Sequence, residues 1–515
     1  MQNWTIRKPQ VASDRGIIAC QHFEAAEAGA QVLRNGGNAM DAAVVAALVL
    51  SVVEPWLSGI GGGGLMLWAD AQGGPVESLD FNVRAGEDFT PADYPLVGGK
   101  DGDWFDWPAV KDDRNLIGYP SICIPGAIAG LSEALARHGT LSWHDALQPA
   151  IALAERGMLV DWFTSLCLAI DARGLARFDH SAALFLQDGK PLNSGTQTHR
   201  PMPAKAATLR RLAQAGARDF YEGEVAQGLV RDLQQGGSRL TAADLAGYRP
   251  IWGSAASIAY AGHDIHVVGE LCGGPTMLEC FSMLREKAPL GDDAQAAAAY
   301  ARAIRSAYEH RLKTMGHAGR GGKDCTSHLS VVDAAGNMVS LTNTLLSRFG
   351  SKVTLPTAGI LMNNGMMWFD PRPGTPNAIA PSARPLANMC PTILTRDGRP
   401  VMAIGAAGGR QIFPAITQLV SYVLDRGMSL EEAFHAPRID ASTPTVTVDT
   451  AASDGVAAAV GQHYPVKMSP NGLHPVNFSI PSAVMLDPAS GRRTGMVHPV
   501  SPWTACASET SVPHD

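Results

Sequence analysis

The segment Asp324-Cys325-Thr326-Ser327-His328 combines residue types that support nucleophilic catalysis. A thiol and two hydroxyl side chains lie where a polar, glycine-rich stretch at 320–324 gives way to a β-rich run. An enzyme whose nucleophile is its own N-terminal residue needs this arrangement, because self-cleavage before a Ser, Thr or Cys frees an α-amine beside that side chain. An α-amino group has a reference pKa of about 7.7–8.0, so it can act as a base near neutral pH.

Two adjacent glycines, Gly408 and Gly409, supply a second chemical element. They follow a short β-rich run at 401–404, and a helical pattern begins at Phe413. Backbone N–H groups in such a turn can bind the oxyanion of a tetrahedral intermediate. The two glycines are therefore candidates for an oxyanion hole.

Other catalytic motifs are absent from the sequence, which contains no G-x-S-x-G, H-E-x-x-H or P-loop pattern. Cys325 and His328 have a spacing that metal ligands can have, but two ligands alone do not define a metal site. We therefore predict neither a metal nor a cofactor.

The glycine run at 59–64 offers a different function, that of a dinucleotide-binding oxidoreductase. It satisfies G-x-G-x-x-G, and Asp80 lies 21 residues after its start. Such a site requires a strand before the glycines and a helix after them. The order here is reversed, because an apolar helix precedes the run and a strand pattern at 65–68 follows it. A close backbone approach in a packed core is the simpler interpretation.

The elements that must position these residues alternate between helices and short strands. Two β-rich runs, at 327–332 and 337–344, predict a hairpin directly after the candidate nucleophile. Asn38 is a predicted N-cap of an apolar helix over 39–53. We expect residues 320–324 to form an exposed loop and residues 504–515 to form a mobile tail.

Composition describes a large globular protein. The 515 residues are 46% hydrophobic and 17% charged, which is enough apolar material for a sizeable core. The net charge of -7, with scattered Lys and Arg, argues against nucleic-acid and anionic-membrane partners. Eight cysteines without a C-x-x-C spacing are too few for a disulfide scaffold, and the first 20 residues lack the apolar core of a signal peptide. We expect a cytoplasmic protein.

The chain resembles the gamma-glutamyltransferase family along most of its length. The matching segments, in the family's order, are GGNAMDAA at 36–43, EP at 54–55 with GIGGGG at 59–64, IPG at 124–126, TSHLSVVD at 326–333, GN at 336–337, GILMNN at 359–364, RPL at 384–386, PTI at 391–393 and GG at 408–409.

This resemblance implies an α/β fold, the four-layer αββα sandwich of the N-terminal-nucleophile hydrolases. It also implies a proenzyme that cuts itself between Cys325 and Thr326. The products are a large chain, 1–325, and a small chain, 326–515, which remain together as one intertwined heterodimer.

The resemblance also assigns roles to individual residues. By position, Thr326 is the nucleophile, and Thr344 is the second threonine whose hydroxyl bonds it. Gly408 and Gly409 match the oxyanion-hole pair. The family holds a substrate carboxylate with an arginine near Asp80; the spacing here is shifted, and Arg84 is the nearest candidate.

The positions that recognise a glutamyl group in this family are largely changed. After Asn364 the family has Gln-Met-Asp-Asp, and this chain has GMMW, beginning at Gly365. An ammonium group would meet Trp368 and methionines where it requires a carboxylate. The family's Ser-Ser pair is replaced by Ala387-Asn388, and an asparagine after the second threonine is replaced by Leu346. Asn364, Gly365, Ala387 and Asn388, with Arg84, are the candidate substrate-binding positions.

The segment 373–385 is shorter by roughly a dozen residues than the lid of lid-bearing members, a length typical of loops that act as lids. Water should then reach the acyl-enzyme easily, which favours hydrolysis over transfer. We therefore predict an amide hydrolase for a small carboxylate-bearing substrate, with oxamate favoured. The alternatives are a gamma-glutamyl hydrolase or transferase and a hydrolase of the glutaryl or cephalosporin acylase type. A non-enzymatic binding protein would be favoured if the chain never cuts itself.

Overall fold

A computed structural model describes residues 6–100, 108–193, 195, 198–315, 325–474 and 476–510. The helices are α1 Phe23–Arg34, α2 Ala39–Val53, α3 Ala127–His138, α4 Trp143–Arg156, α5 Trp162–Leu175, α6 Asp179–Phe185, α7 Pro203–Ala215, α8 Asp219–Glu222, α9 Glu224–Gln235, α10 Ala242–Ala246, α11 Gly274–Arg285, α12 Asp293–Thr314, α13 Ile412–Arg426, α14 Leu430–His435 and α15 Asp454–Gly461. The strands are β1 Val11–Ser13, β2 Ile17–Cys20, β3 Gly63–Ala69, β4 Glu77–Asp80, β5 Leu96–Lys100, β6 Pro108–Val110, β7 Met158–Leu159, β8 Leu186–Gln187, β9 Lys190–Pro191, β10 His199–Arg200, β11 Ile251–Ser254, β12 Ala256–Tyr260, β13 His263–Val267, β14 Cys325–Val332, β15 Met338–Leu346, β16 Thr354–Leu355, β17 Ile360–Leu361, β18 Thr392–Arg396, β19 Arg399–Ala407, β20 Ile439–Asp440, β21 Val446–Asp449, β22 Val466–Ser469, β23 Ile480–Leu486, β24 Arg493–Val497 and β25 Ala505–Ser508.

Two seven-stranded antiparallel sheets form the centre of the molecule. The first has the order β1-β24-β23-β19-β18-β13-β12, and the second has the order β11-β4-β3-β15-β14-β2-β25. The sheets face each other where β14 and β15 pack on β19 and β23. Helices α1 and α2 cover the outside of the second sheet, and α11, α13 and α14 cover the outside of the first. The predicted αββα sandwich is confirmed.

Helix α2 explains how the outer layer is held. All fifteen of its residues are buried, as expected for a helix that is apolar on every side. Its first turn is closed by a capping box between Asn38 and Asp41, so the predicted N-cap is confirmed. At its other end the buried Lys205 amine donates to the Ser51 carbonyl, and burial lowers the pKa of Lys205 to about 7.

The hairpin β14–β15 lies where the sequence predicted it, and its turn is tied to α2. Asp333 Oδ1 accepts three backbone N–H groups within the turn, from Ala335, Gly336 and Asn337. Asp333 Oδ2 accepts the Ala39 N–H at 3.0 Å. One carboxylate therefore connects the hairpin turn to the start of the covering helix.

The prediction for the C-terminal tail is wrong over part of its length. Ala505–Ser508 forms the edge strand β25, which pairs with β2 near the other end of the chain. Residues 511–515 and the predicted loop at 320–324 lie outside the described residues. Within the described ranges, no helix combines the length and apolarity needed to cross a membrane.

Candidate active site

The candidate nucleophile, Thr326, lies at the irregular start of the central strand β14. Cys325 pairs with Leu346, whereas Ser327 pairs with Asn343, so the register shifts at Thr326. Such a bulge re-aims a side chain and is common beside active sites. Thr326 is 1% exposed and lies opposite the Thr344–Leu345 stretch of β15.

Successive side chains of β14 point alternately toward the first sheet and toward the covering helix α2. His328 faces the first sheet, since a methyl group added at Gly405 would lie 2.3 Å from its Cε1. Ser330 contacts the Ser482 carbonyl of the same sheet at 3.5 Å. Ser327 points the opposite way, toward Glu54 at the end of α2. The register shift at Thr326 interrupts this two-residue period, so a Thr326 side chain that points into the space between the sheets stays a prediction.

The register between the sheets brings the predicted catalytic groups to one end of the sandwich. His328 lies against Gly405 of β19 and beside Ser482 of β23. At the opposite end of β14, the Asp333 carbonyl accepts from Arg493 of β24. The segment of β14 from His328 to Thr326 therefore runs alongside β19 in the direction of the carboxyl end of β19. Gly408 comes directly after that end.

The Gly408–Gly409 turn has a backbone conformation that glycine adopts most easily, and its role as an oxyanion hole stays a prediction. The backbone φ is +131° at Gly408 and +59° at Gly409, values that favour glycine. Within the described part of the chain neither amide N–H donates to another group. The turn leads through a single 3₁₀ turn, Gly409–Gln411, into α13, whose N-terminal end also favours a negative charge.

Thr344 is fully buried on β15 and its hydroxyl is fixed by the backbone. Its Oγ1 accepts the Leu346 N–H at 2.8 Å, and its carbonyl lies against the glycine run. A methyl group at Gly62 would lie 2.0 Å from the Thr344 oxygen, so only glycine fits there. The run at 59–64 is therefore a close backbone approach that positions β15, as the simpler interpretation predicts. The role of Thr344 as partner of the nucleophile stays a prediction.

Glu54 is a residue near the nucleophile that sequence reasoning did not assign to the site. Its Oε2 accepts the Ser327 hydroxyl at 2.7 Å, directly behind Thr326. Complete burial raises the pKa of Glu54 to about 8, although the Ser327 hydrogen bond opposes the rise. Its appearance after a long apolar run, within the family-matching EP pair, was the only available sequence signal.

His328 is held by two hydroxyl groups, which leaves neither ring nitrogen open. Nδ1 lies 2.9 Å from Thr342 Oγ1, and Nε2 lies 3.0 Å from Ser330 Oγ. Burial lowers the pKa of His328 to about 3, so the ring is neutral. These contacts describe a structural histidine between the sheets. Among the described residues no group of three or more His, Cys, Asp or Glu is placed to hold a metal ion.

Arg84 lies beside the catalytic end on a segment that crosses the glycine run. The preceding residue, Val83, packs against both Gly63 and Gly365. The Arg84 guanidinium lies over the Tyr248 ring and reaches the Asp244 carbonyl at 3.5 Å. It has no carboxylate partner in the described ranges, and its buried Nε has no hydrogen bond there. The neighbouring Arg384, over the same ring, is instead paired with Asp80 at 2.6 Å.

The segment that replaces the family's ammonium-binding residues is buried and apolar. Met366, Met367 and Trp368 are each at most 1% exposed. A methyl group at Gly365 would lie 2.5 Å from Cys123 Sγ, so this position is packed tightly.

Asn364 lies near β15 but uses its side chain within the protein. Its Oδ1 accepts the Ser347 N–H at 3.0 Å, and its Nδ2 donates to the Leu116 carbonyl at 3.0 Å and to Ser347 Oγ at 2.7 Å. Its backbone N–H donates to the Leu345 carbonyl, next to Thr344. These contacts favour a supporting role, and substrate binding by Asn364 stays a prediction.

Ala387 and Asn388 are anchored to α12. The buried Arg311 guanidinium donates to the Ala387 carbonyl at 2.6 Å and contacts Asn388 Oδ1 at 3.4 Å. The Ala387 N–H donates to the Leu271 carbonyl at 2.8 Å. Their contribution to substrate binding also stays a prediction.

Thr326 at the start of β14 and the Gly408–Gly409 turn lie toward the same end of the sandwich, and a sequence comparison decides the family. A sequence model described as gamma-glutamyltranspeptidase matches residues 25–320 and 317–496. The chain belongs to the gamma-glutamyltranspeptidase family. Membership confirms the family resemblance seen in the sequence.

Several relatives of this gamma-glutamyltranspeptidase-family protein are named as proenzymes. It is 33% identical to the acylase ACY 1 proenzyme of Pseudomonas sp. (strain SE83), over 96% of this chain and 95% of that one. It is 29% identical to the glutathione hydrolase proenzyme of Escherichia coli (strain K12), over 83% of this chain and 81% of that one. Its fold is similar to that of a cephalosporin acylase from Bacillus halodurans, with a TM-score of 0.85, 24% identity, and coverage of 100% and 99%. The protein is a hydrolase made as a self-cleaving precursor.

Proposed function

We propose that this protein is an amide hydrolase that cuts itself between Cys325 and Thr326 and then uses Thr326 to attack an acyl amide. The acyl group carries a carboxylate and no amine. The attack forms an ester between the acyl group and Thr326 Oγ, releases the amine, and is followed by hydrolysis of that ester. The two chains, 1–325 and 326–515, stay associated because they contribute strands to both sheets.

We choose a substrate without an amine because, among the described residues, the site lacks a group that would bind an ammonium. Met366, Met367 and Trp368 occupy the positions where the family's ammonium ligands are expected, and all three are buried. No acidic side chain belongs to this turn, so a buried ammonium would lack a counter-charge. A site that leaves a charge unpaired discriminates strongly against the substrate that bears it.

Arg84 supports a carboxylate on the substrate. It is cationic, half-buried and without a carboxylate partner in the described ranges, whereas its neighbour Arg384 is already paired with Asp80. An arginine can bind a carboxylate through two parallel hydrogen bonds. A substrate carboxylate would complete this arrangement.

The short segment at 373–385 supports hydrolysis over transfer. Asn377 holds it down, because its Nδ2 donates to the Trp368 carbonyl at 2.7 Å and its Oδ1 accepts the Leu386 N–H at 3.0 Å. A segment fixed in this way does not close over an acyl-enzyme, so water competes with any acceptor amine.

Two substrate types meet these conditions. Oxamate has a carboxylate and an amide without an amine, and it remains the favoured small substrate. An acylase-type substrate, such as a glutaryl amide, is the second candidate, supported by the relative named acylase that matches 96% of this chain.

A three-substrate panel tests the proposal. Purified wild type is assayed with oxamate, glutaryl p-nitroanilide and gamma-glutamyl p-nitroanilide. The last two differ only by the α-amine, so they form a matched pair. We expect kcat/KM for the glutaryl compound or oxamate to exceed that for the gamma-glutamyl compound. A clear preference for the gamma-glutamyl compound would show that another group binds the ammonium.

A further inference from the structure

Two polar side chains next to the oxyanion loop have unused hydrogen-bonding atoms. Gln411 Oε1 and Ser479 Oγ are both buried, and neither has a partner among the described residues. Gln411 is 9% exposed and Ser479 is 1% exposed. A buried polar atom without a partner costs about 1–3 kcal/mol, so two of them beside the glycine turn are places where a ligand would gain hydrogen bonds.

Both side chains lie against the glycine turn. A methyl group at Gly408 would lie 2.8 Å from Ser479 Cβ, so Ser479 packs directly against the first glycine. Gln411 ends the 3₁₀ turn that begins at Gly409. Its Nε2 donates to the Asn477 carbonyl at 2.8 Å, two residues before Ser479.

The orientation of the Gln411 amide follows from its contacts. Nε2 has two partners, Asp440 Oδ2 at 3.1 Å and the Asn477 carbonyl, and both are acceptors. The amide nitrogen must therefore be on that side, and Oε1 is the free atom. Oε1 can only accept a hydrogen bond, so it can bind neither an oxyanion nor a carboxylate. It requires an N–H or O–H from the ligand.

An amide offers partners for both kinds of group, because it carries an acceptor and a donor. Its carbonyl oxygen can accept from the N–H groups of Gly408 and Gly409, and its own N–H can donate to a separate acceptor. We propose that Gln411 Oε1 and Ser479 Oγ form the subsite for the nitrogen of the scissile amide. This inference rests on the proposed function and extends it, because it restricts the preferred substrates to amides that carry an N–H. Esters and N,N-disubstituted amides leave the acceptor unpaired.

Matched probes with one acyl group test this subsite: glutaryl p-nitroanilide, its N-methyl derivative and glutaryl p-nitrophenyl ester. The variants are Gln411→Met, which removes the acceptor at similar size, and Ser479→Ala. Gln462→Met, at an exposed position of the small chain, is the control. We expect each active-site variant to lower kcat/KM for the anilide about 3- to 10-fold, the scale of one hydrogen bond, while the ester changes less than about twofold.

The possible results distinguish failure of the subsite proposal from failure of the proposed function. A greater loss on the anilide than on the ester, in variants that still mature and have the wild-type melting temperature, supports the subsite. Equal losses on both probes, or no loss on either, overturn it and leave the proposed function intact. Ser479→Ala keeps the test decisive if Gln411→Met fails to fold, because removing one hydroxyl leaves the Gln411 contacts in place. No turnover of any probe by mature wild type overturns the proposed function and the subsite together.

Discussion

Replacing Glu54 with glutamine tests whether the carboxyl behind the nucleophile is protonated. Glutamine has the shape of a protonated glutamic acid and keeps an oxygen that can accept the Ser327 hydroxyl. Burial raises the pKa of Glu54 from 4.5 to about 8, and no cation opposes this rise. The groups that face the carboxyl are the Ser327 hydroxyl and the buried Cys20 thiol. At neutral pH we therefore expect Glu54 to be mainly neutral in the folded protein.

The sign of the effect follows from this raised pKa. A carboxyl whose pKa is higher in the folded state stabilises the protein fully below about pH 4.5. That contribution is lost as the pH rises through about 8. Wild type should thus lose stability relative to Glu54→Gln by about 1.4 kcal/mol per pH unit, or about 4 kcal/mol between about pH 5 and pH 8. Unfolding entropy of about 2.1 cal/mol/K per residue converts this into a difference of about 4 °C for a chain of this length.

Melting temperatures of wild type and Glu54→Gln, measured at equal protein concentration between about pH 5 and pH 8.5, give the readout. Glu432→Gln is the matched control. The pKa of Glu432 is lowered by its capping bonds to Ser429, so it is ionised in both states across this range. Its variant should differ from wild type by a constant amount. A constant difference for Glu54→Gln as well would show that Glu54 is already charged in the folded protein and would refute the reasoning.

Three further predictions concern the proposed chemistry. Thr326→Ala should remain one full-length chain on a denaturing gel, because no side-chain oxygen is left to attack the Cys325 carbonyl; cleavage at the same bond in this variant would exclude Thr326. Thr344→Val should lower kcat about 10-fold with little change in KM, because the Leu346 N–H loses its acceptor and the hydroxyl beside the nucleophile is gone, and Thr344→Ser should recover part of the rate. Arg84→Ala should reduce transition-state stabilisation for a carboxylate-bearing amide by about 2–3 kcal/mol, measured as a lower kcat/KM, because a charge-assisted hydrogen bond is lost. Equal activity of this variant and wild type would place the substrate carboxylate elsewhere.

The parts of the fold that were predictable are those set by local sequence. The apolar run after Asn38 and the hairpin around Asp333 each contain their own signals, an N-cap and a turn between alternating strands. Strand β25 was missed because its partner, β2, lies almost five hundred residues earlier. Edge pairing of this kind depends on tertiary context more than on the residues of the strand itself.

The residues of the candidate site also fall into two groups, those indicated by local sequence and those that only the tertiary structure reveals. Thr326 and the two glycines were assigned from sequence motifs, and their catalytic roles stay predictions. Glu54 did not, because one glutamate before a proline is typical of a helix end at the surface. Gln411 and Ser479 come together only through the pairing of β19 with β23, which no spacing in the sequence reveals. Long-range register therefore determines which polar atoms remain unpaired beside the Gly408–Gly409 turn.

The distribution of strands between the two sides of residue 325 has a consequence for the mature protein. In the second sheet, β15 and β14 lie between β3 and β2, and in the first, β1 flanks β24 while β13 flanks β18. Cleavage before Thr326 would leave neither chain with a complete sheet. Refolding after cleavage would then be bimolecular, and recovery from denaturant would slow on dilution, whereas the uncut precursor would refold at a rate independent of concentration. Self-cleavage would make folding a step that the protein performs efficiently only once.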